Sequence, residues 1–509
     1  MKQYLLGIDL GTSGTKTVLF DDAGKAIAAH TAEYPLYQPK NGWAEQDPND
    51  WWQAAVKTIQ SVLQSSQIPA AAITGIGISG QMHGLVMLDE NGQCLRNSII
   101  WCDGRTADEC REITEKVGAE KLIAITANPA LTGFTAGKIL WVRRHQPDIY
   151  QRCRHILLPK DYLRYKLTGV FATEVSDASG MNLLDVPNRC WSKEIMDILE
   201  LDESMFAPVY ESVDITGTVH AQAAELTGLT AGTPVVGGAG DNAAAAIGTG
   251  VVKAGRAFTT IGTSGVVFAH SDQVAIDPKG RVHSFCSAVP GKWTVMSCTL
   301  AAGLSLKWLR DTCCQQECAQ AKSQELDPYI LMNQLAQTSP IGANRLLFLP
   351  YLMGERSPIL DPDARGAFIG LSAIHSKGDL IRAVMEGVAF SQKQCIEILT
   401  EMGVPTDSMM MCGGGARSEL WRQLLTDIYD CPVKTSRASD EGPALGVAIL
   451  AGVATGVFSS LEEACEKIVI ADTEHLPDAG ATAAYKPYYH LYTKLYPALK
   501  DSYQELAGM

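Results

Sequence analysis

The stretch Leu6-Gly7-Ile8-Asp9-Leu10-Gly11-Thr12-Ser13-Gly14-Thr15-Lys16 decides how this chain is read, because its turn returns as Ile261-Gly262-Thr263-Ser264-Gly265-Val266. Each copy runs from an apolar segment through Gly-Thr-Ser-Gly into a second apolar segment, the pattern of two antiparallel strands joined by a tight turn. Glycines let a backbone approach a ligand closely, and consecutive free amides in such a turn form a concave anion site. Two copies suit the two sides of one polyphosphate. Two unrelated hairpins that share common turn residues would give the same four-letter match.

Working outward, 509 residues exceed what one core supports, so two domains of similar size are expected, over 1–247 and 248–509, with one turn in each. The net charge of −14 disfavours nonspecific binding to nucleic acid or to an anionic membrane. Met1-Lys2 leads straight into Tyr4-Leu5-Leu6-Gly7-Ile8 and Asp9, which leaves no room for a signal-peptide core. The Gly/Ala-rich run from Ala231 to Val251 is broken by Pro234 and Asp241 and does not read as a membrane span. Fourteen cysteines occur without a Cys-x-x-Cys pair, and Cys313, Cys314 and Cys318 read as buried thiols at near-helical spacing. A reducing cytoplasm is the expected location.

Hydrophobic patterning gives three antiparallel strands over Tyr4 to Ile8, Thr15 to Phe20 and Lys25 to Tyr34. Asp47-Pro48-Asn49-Asp50 supplies a cap, a first-turn proline and an acid for a helix from near Trp51 toward Gln67. Ile73-Thr74-Gly75-Ile76-Gly77-Ile78-Ser79-Gly80 contains a literal G-x-G-x-x-G, but its alternating isoleucines make the motif itself a strand. No helix N-terminus follows to receive a pyrophosphate, so a dinucleotide fold is excluded. Helices are expected from Ala107 to about Val117, over residues 155–170, from Ser297 to Leu309 and from Asp379 to about Met402.

Three further places carry chemistry. Gln81-Met82-His83-Gly84 sets polar and soft side chains between glycines at a strand end. Trp101-Cys102-Asp103-Gly104-Arg105 sets an indole beside a carboxylate and a guanidinium, suited to stacking on a carbohydrate or to a structural ion pair. Val235-Val236-Gly237-Gly238-Ala239-Gly240-Asp241-Asn242 ends a buried strand in glycines with one carboxylate at the tip, placed to act as a general base or to cap the Ala243–Gly248 helix. A third glycine turn, Gly413-Gly414-Gly415-Ala416-Arg417-Ser418, lacks Walker spacing, as does Gly11 to Lys16, and suits close contact with a flat nucleoside. Ser418 can cap the helix that follows. Gly442-Pro443-Ala444-Leu445-Gly446 opens a small-residue helix fit to pack closely on the Ala243–Gly248 helix.

In this order the motifs resemble the FGGY carbohydrate kinases, within the actin-like ATPase superfamily, along essentially the whole chain. Gly133-x-Thr135-x-x-Lys138-Ile139-x-Trp141-Val142, and Gly366-x-Phe368-x-Gly370-Leu371 continuing to Asp379-Leu380-x-x-Ala383-Val384-Met385-Glu386, match the two family signatures. The resemblance implies an α/β fold of two ribonuclease-H-like (actin/hexokinase superfamily) domains flanking a catalytic cleft, with sugar held mainly by the first and ATP by the second. It implies Asp241 as the catalytic base and Asp9 as the acid that helps hold Mg²⁺. Thr12, Ser13 and Lys16, with Gly262 and Thr263, match phosphate-side positions, and Gly303, Lys307, Gly414 and Ser418 match the nucleotide side. Met82, His83, Trp101, Asp103 and Asn242 match substrate positions.

Gly133 stands where glycerol kinases of the family carry a tyrosine, which implies a bulkier sugar. The segments around His83, Asp103 and Asp241 together imply D-xylulose, phosphorylated at its 5-hydroxyl, with ribulose, gluconate and glycerol as alternatives and a homodimer as an expectation. A chaperone-like actin-family ATPase would share the paired turns but lack the sugar signatures. A non-catalytic sugar sensor would need a damaged Asp9 or Asp241, or an added DNA-binding segment.

Overall fold

A computed structural model describes residues 2–437 and 441–509. Its first large sheet runs Ile215–Thr218, Pro234–Val236, Ile73–Gly80, Tyr4–Leu10, Gly14–Asp21 and Ala26–Glu33, with Ala239–Gly240 also paired to Ile73–Gly80. The second runs Thr473–His475, Val433–Thr435, Ser408–Cys412, Arg256–Ile261, Gly265–Ser271, Trp293–Thr299 and His283–Cys286. Over six strands the pairings agree, an antiparallel edge, two parallel contacts, then two antiparallel ones, and the second sheet adds a further antiparallel strand, His283–Cys286. The two Gly-Thr-Ser-Gly turns therefore occupy the same place in two copies of one α/β unit. Within the first, the register opposes Asp9 to Lys16 on one side and to Ser79 on the other.

The first helix spans Pro48–Ser66, and Asp47 caps it by accepting from the Asn49 amide. The Gly75–Gly80 segment is a strand, and its glycines serve packing. A Cβ on Gly77 would lie 2.0 Å from the Val447 carbonyl oxygen, and one on Gly7 would lie 2.0 Å from that of Ala444. Both oxygens belong to the helix Gly442–Ala454, which comes from the second half of the chain and lies on the first sheet. That helix crosses Asp241–Gly248, where a Cβ on Gly446 would lie 1.9 Å from the Ala244 carbonyl oxygen. The expected close helix pair is thus present. One apolar core, including Leu5, Val18, Val236, Ala244, Ile247, Leu445 and Val447, joins the two halves beneath the turns.

Two expected helices are shorter than periodicity predicts. Within 155–170, His155–Leu157 is a strand paired with Val86–Leu88, and the helix begins only at Pro159. Proline at the first helical position marks that boundary. Over Ser297 to Leu309, the strand Trp293–Thr299 ends first and the helix starts at Gly303. Pairing of Thr294, Val295 and Thr299 with the Gly265–Ser271 strand outweighs the local helical pattern. Of the clustered thiols only Cys314 is buried, while Cys313 is exposed. Among the described residues no helix is long and apolar enough to cross a membrane.

Candidate active site

Both repeated turns are built to present amides. In the first, the Gly11 carbonyl accepts from the Tyr34 hydroxyl and from Gln81 Nε2 at 3.4 Å, and the Thr12 carbonyl accepts from Gln46 Nε2 at 2.7 Å. In the second, the Thr263 carbonyl accepts from the Ala302 and Leu304 amides at 3.0 and 3.1 Å, and the Gly262 carbonyl from the Gly303 amide at 2.8 Å. With the carbonyls held back by the protein, the amides of Thr12, Ser13, Thr263 and Ser264 have no acceptor among the described residues. An anion is the complementary ligand.

Asp9 ends the central strand below the first turn. Ser79 donates its hydroxyl to Asp9 Oδ1 at 2.5 Å. Burial raises the Asp9 carboxyl above its usual range, against the pull of the Ser79 hydrogen bond and the Lys16 cation. Lys16 itself is engaged at 2.5 Å by Glu441, which precedes the crossing helix of the other half. Asp241 begins its helix and does not cap it: its Oδ1 accepts from the Asn242 amide at 2.7 Å and from Asn242 Nδ2 at 2.9 Å. Burial, and then the negative charge of Asp9, push the Asp241 carboxyl up to about 7. A carboxylate near neutrality is matched to taking a proton from a hydroxyl.

The Gln81-Met82-His83 segment lies beside Gly240, the residue before Asp241. A Cβ on Gly240 would meet the Met82 side chain at 2.9 Å, so Met82 fills the space beside the residue that precedes Asp241. His83 Nδ1 is 3.0 Å from the Gly180 carbonyl, and because a carbonyl only accepts, Nδ1 carries the proton. Burial, and then the Lys138 cation, hold the ring neutral by lowering its pKa well below the usual value. His83 Nε2 is thus the acceptor nitrogen of the ring. The His83 carbonyl accepts from Lys138 Nζ at 2.8 Å and Thr135 Oγ1 at 3.1 Å, and the ring lies 4.5 Å from that of Phe134. Gly133 to Lys138 is therefore the support of the His83 loop.

Trp101 is 43% exposed and donates from Nε1 to Thr12 Oγ1 at 2.9 Å, which ties a predicted substrate residue to the phosphate turn. Asp103 stands differently. Its carboxylate is buried, binds Arg105 through both oxygens at 2.9 and 2.6 Å, and accepts from the Ala44 amide at 2.6 Å. Arg105 is also bound to Glu45 at 2.7 Å and stacks 3.7 Å over Trp43. The Asp103–Arg105 pair is the internal brace of the Trp101 loop.

On the nucleotide side, Gly262, Thr263, Gly303, Lys307, Gly414 and Ser418 all line one cavity of about 400 Å³, together with Tyr329, Ile330 and Trp421. A Cβ on Gly303 would lie 2.4 Å from the Gly262 carbonyl oxygen, so the helix Gly303–Cys313 can approach the turn only with glycine there. Around Gly414 a Cβ would meet nothing within 4 Å, so that residue faces open space. Ser418 spends its hydroxyl as the N-cap of Glu419–Tyr429, accepting from the Trp421 amide at 3.2 Å. Lys307 is exposed, 3.5 Å from Asp311.

Several site residues escaped the sequence. Behind Asp241, Lys160, Asp161, Arg164, Glu174 and Asp177 are all buried, with Lys160 Nζ bound to Asp161 at 2.7 Å and to Glu174 at 3.1 Å. Ser176 accepts from the Gly240 amide at 3.2 Å, and Arg164 donates to the Gly237 carbonyl at 2.7 Å, so this cluster fixes the strand end that carries Asp241. Burial keeps Asp177 well above its usual carboxyl range. His283 crosses from the second sheet to Asn128 Oδ1 at 3.0 Å, and its ring lies 5.7 Å from Phe134. Of these charged residues none belongs to a motif that the sequence singles out, and only the fold shows that they are covered.

Comparison with known proteins agrees with this geometry. The model of the FGGY family of carbohydrate kinases, N-terminal domain, matches residues 4–248, and that of the C-terminal domain matches 257–455. The chain is 40% identical to a xylulose kinase of Bacillus subtilis (strain 168) over 499 residues, 98% of each chain. It is 40% identical to one of Escherichia coli (strain K12) over 494 residues, 97% of this chain and 99% of the other. A crystal structure of a "xyloylose kinase" from Brucella ovis superposes with a TM-score of 0.90 at 37% identity, covering 98% of this chain and 100% of that one.

Proposed function

This chain belongs to the FGGY family of carbohydrate kinases, and on that footing we propose that it moves the γ-phosphoryl group of ATP to the 5-hydroxyl of D-xylulose. The observation that carries this reading is Asp241, a carboxylate raised to about 7 between the Met82-His83 segment and Asp9, with an amide-presenting turn from each domain. His83 Nε2 accepts from a sugar hydroxyl, Met82 packs on the carbon skeleton, and Asn242 keeps the base aimed. Asp241 takes the proton of the attacking hydroxyl as its oxygen bonds to the γ-phosphorus and the bond to ADP breaks. The amides of Thr12, Ser13, Thr263 and Ser264 meet the charge that gathers on the phosphoryl oxygens. Adenosine occupies the cavity between Gly303 and Gly414.

Asp9 is the residue that would hold Mg²⁺, which would neutralise phosphate charge. One carboxylate beside phosphates and water suits this ion, and the described residues contain no cluster of three metal-ligating side chains that would make a dedicated cage. The free cysteines are consistent with a reducing cytoplasm, and a homodimer stays a proposal for measurement in solution. The test is ADP release against a panel of D-xylulose, ribulose, gluconate and glycerol. Highest kcat/KM with D-xylulose supports the assignment. Preference for another acceptor moves the substrate within the family, and ADP release that ignores every acceptor removes the kinase reading.

A further inference from the structure

The loop over 350–358 carries Arg356, which the account so far leaves unused. Its main chain is clipped on both sides: Glu355 Oε1 accepts from the Leu300 amide at 2.8 Å and from the Arg356 amide at 2.9 Å. The Ser357 amide donates to the Cys298 carbonyl at 3.2 Å, and Ser357 Oγ to the Arg281 carbonyl at 2.8 Å. Cys298 and Thr299 pair with Val266 and Gly265, so these bonds fasten Arg356 beside the mouth of the second phosphate turn.

The side chain is free where the backbone is not. Arg356 is half-buried, and its guanidinium has no hydrogen-bond or ion-pair partner among the described residues. Its charge bears on the sugar side: with burial as the main cause, it helps hold both His83 and His283 neutral. It also bears on Cys298, whose thiol meets Ser264 of the turn. Glu355 does not neutralise it, because burial pushes that carboxyl up to about 8 and its Oε2 is unpartnered. A partly desolvated guanidinium without an anion costs stability, and its planar fork matches a phosphoryl group.

We propose that Arg356 is a further catalytic residue, which contacts the phosphoryl group as it passes from ATP to the sugar and then holds the phosphate of the product. Its main chain is fastened beside the second Gly-Thr-Ser-Gly turn, and its charge bears on His83 and His283 of the sugar side. Arg356 makes and breaks no covalent bond; it meets charge on the equatorial oxygens while the proton goes to Asp241 and the electron pair leaves with ADP. This assignment rests on the kinase reading above. Loop structure is held by Glu355, Ser357 and main-chain bonds, so the side chain can be changed without dissolving the loop.

The experiment compares wild type with Arg356→Gln and Arg356→Lys. Turnover of wild type with ATP and D-xylulose is measured first and checks the kinase reading by itself. Then kcat is measured for each variant, and calorimetry without ATP gives affinities for D-xylulose and D-xylulose 5-phosphate. Arg356→Gln is expected to lose about 10²–10³-fold in kcat, the range for removing one preorganised donor to a developing oxyanion. Its affinity for the 5-phosphate is expected to fall about tenfold or more while that for D-xylulose holds, and Arg356→Lys is expected to recover part of both. An unchanged kcat, or equal loss of affinity for sugar and sugar phosphate, overturns the proposal. If wild type acts on a different acceptor, that acceptor and its phosphate replace the pair, and Arg356 is judged by the same difference.

Discussion

Lys138 Nζ, wholly buried, donates to the His83 carbonyl at 2.8 Å and to the Gly133 carbonyl at 2.8 Å. One ammonium therefore joins the loop that enters a helix to the loop that carries a sugar ligand. Burial pulls its pKa down to about 7, yet charged or neutral it keeps hydrogens to donate. His83 sits at a φ of 68°, a left-handed conformation that needs such support outside glycine.

Replacing Lys138 by Met keeps the apolar stem, leaves the Gly133 carbonyl without its donor and leaves the His83 carbonyl with Thr135 Oγ1 alone. KM for the ketose should rise about tenfold or more, the cost of one to three kcal/mol for an unsatisfied buried acceptor. KM for ATP should stay within about twofold, since the nucleotide cavity lies on the other domain. Steady-state kinetics with each substrate varied in turn checks this.

The raised Asp241 carboxyl sets the acid limb of the pH profile. A base must be unprotonated in the free enzyme, so kcat/KM for the ketose should fall about tenfold per unit as pH drops below about 7. A limb near the ordinary carboxyl value of 3.8 would contradict the burial argument.

The same shift makes a prediction about stability. Asp241 binds its proton more tightly folded than unfolded, so its contribution is full below about 3.8 and is lost as pH rises through about 7. Asp241→Asn removes the buried charge. At about pH 8 the variant should melt roughly 2–4 °C above wild type, and the gap should close toward about pH 4. Melting curves at the two pH values measure it.

Gly446→Val tests the helix crossing. With only 1.9 Å from a Cβ to the Ala244 oxygen, the helices must part, and overpacking of this kind costs about 1–3 kcal/mol. Melting should fall and KM for both substrates should rise together, because the crossing joins the two domains under the site. A surface Gly508→Ala control, where a Cβ makes only ordinary contacts at 3.5 Å and beyond, should leave KM unchanged.

The repeated Gly-Thr-Ser-Gly was enough to place both hairpins, since short-range turn chemistry and strand alternation write themselves into adjacent residues. The four nucleotide-side positions, with Gly262 and Thr263 of the phosphate side, line one cavity for the same reason, each lying in a glycine turn or in the first turns of a helix. Long-range facts were not legible. Asp103 reads in sequence as a ligand or as half of an ion pair, and only the fold brings the Ala44 amide to its carboxylate and Trp43 to its partner Arg105. Lys160, Glu174 and Asp177 carry no motif and are buried behind Gly240, because charge alone does not say which face is covered. Ser297 to Thr299 reads as the start of a helix until the partner strand is known.

The most direct test is the turnover of Asp241→Ala on D-xylulose, with ATP binding measured on the same preparation. Turnover should fall by about 10³-fold or more while ATP still binds, because the base touches the acceptor hydroxyl and not the adenosine cavity. Near-normal turnover would show that Asp241 is not the base, and with it the arrangement of Met82, His83 and the two amide turns around that carboxylate would lose its meaning.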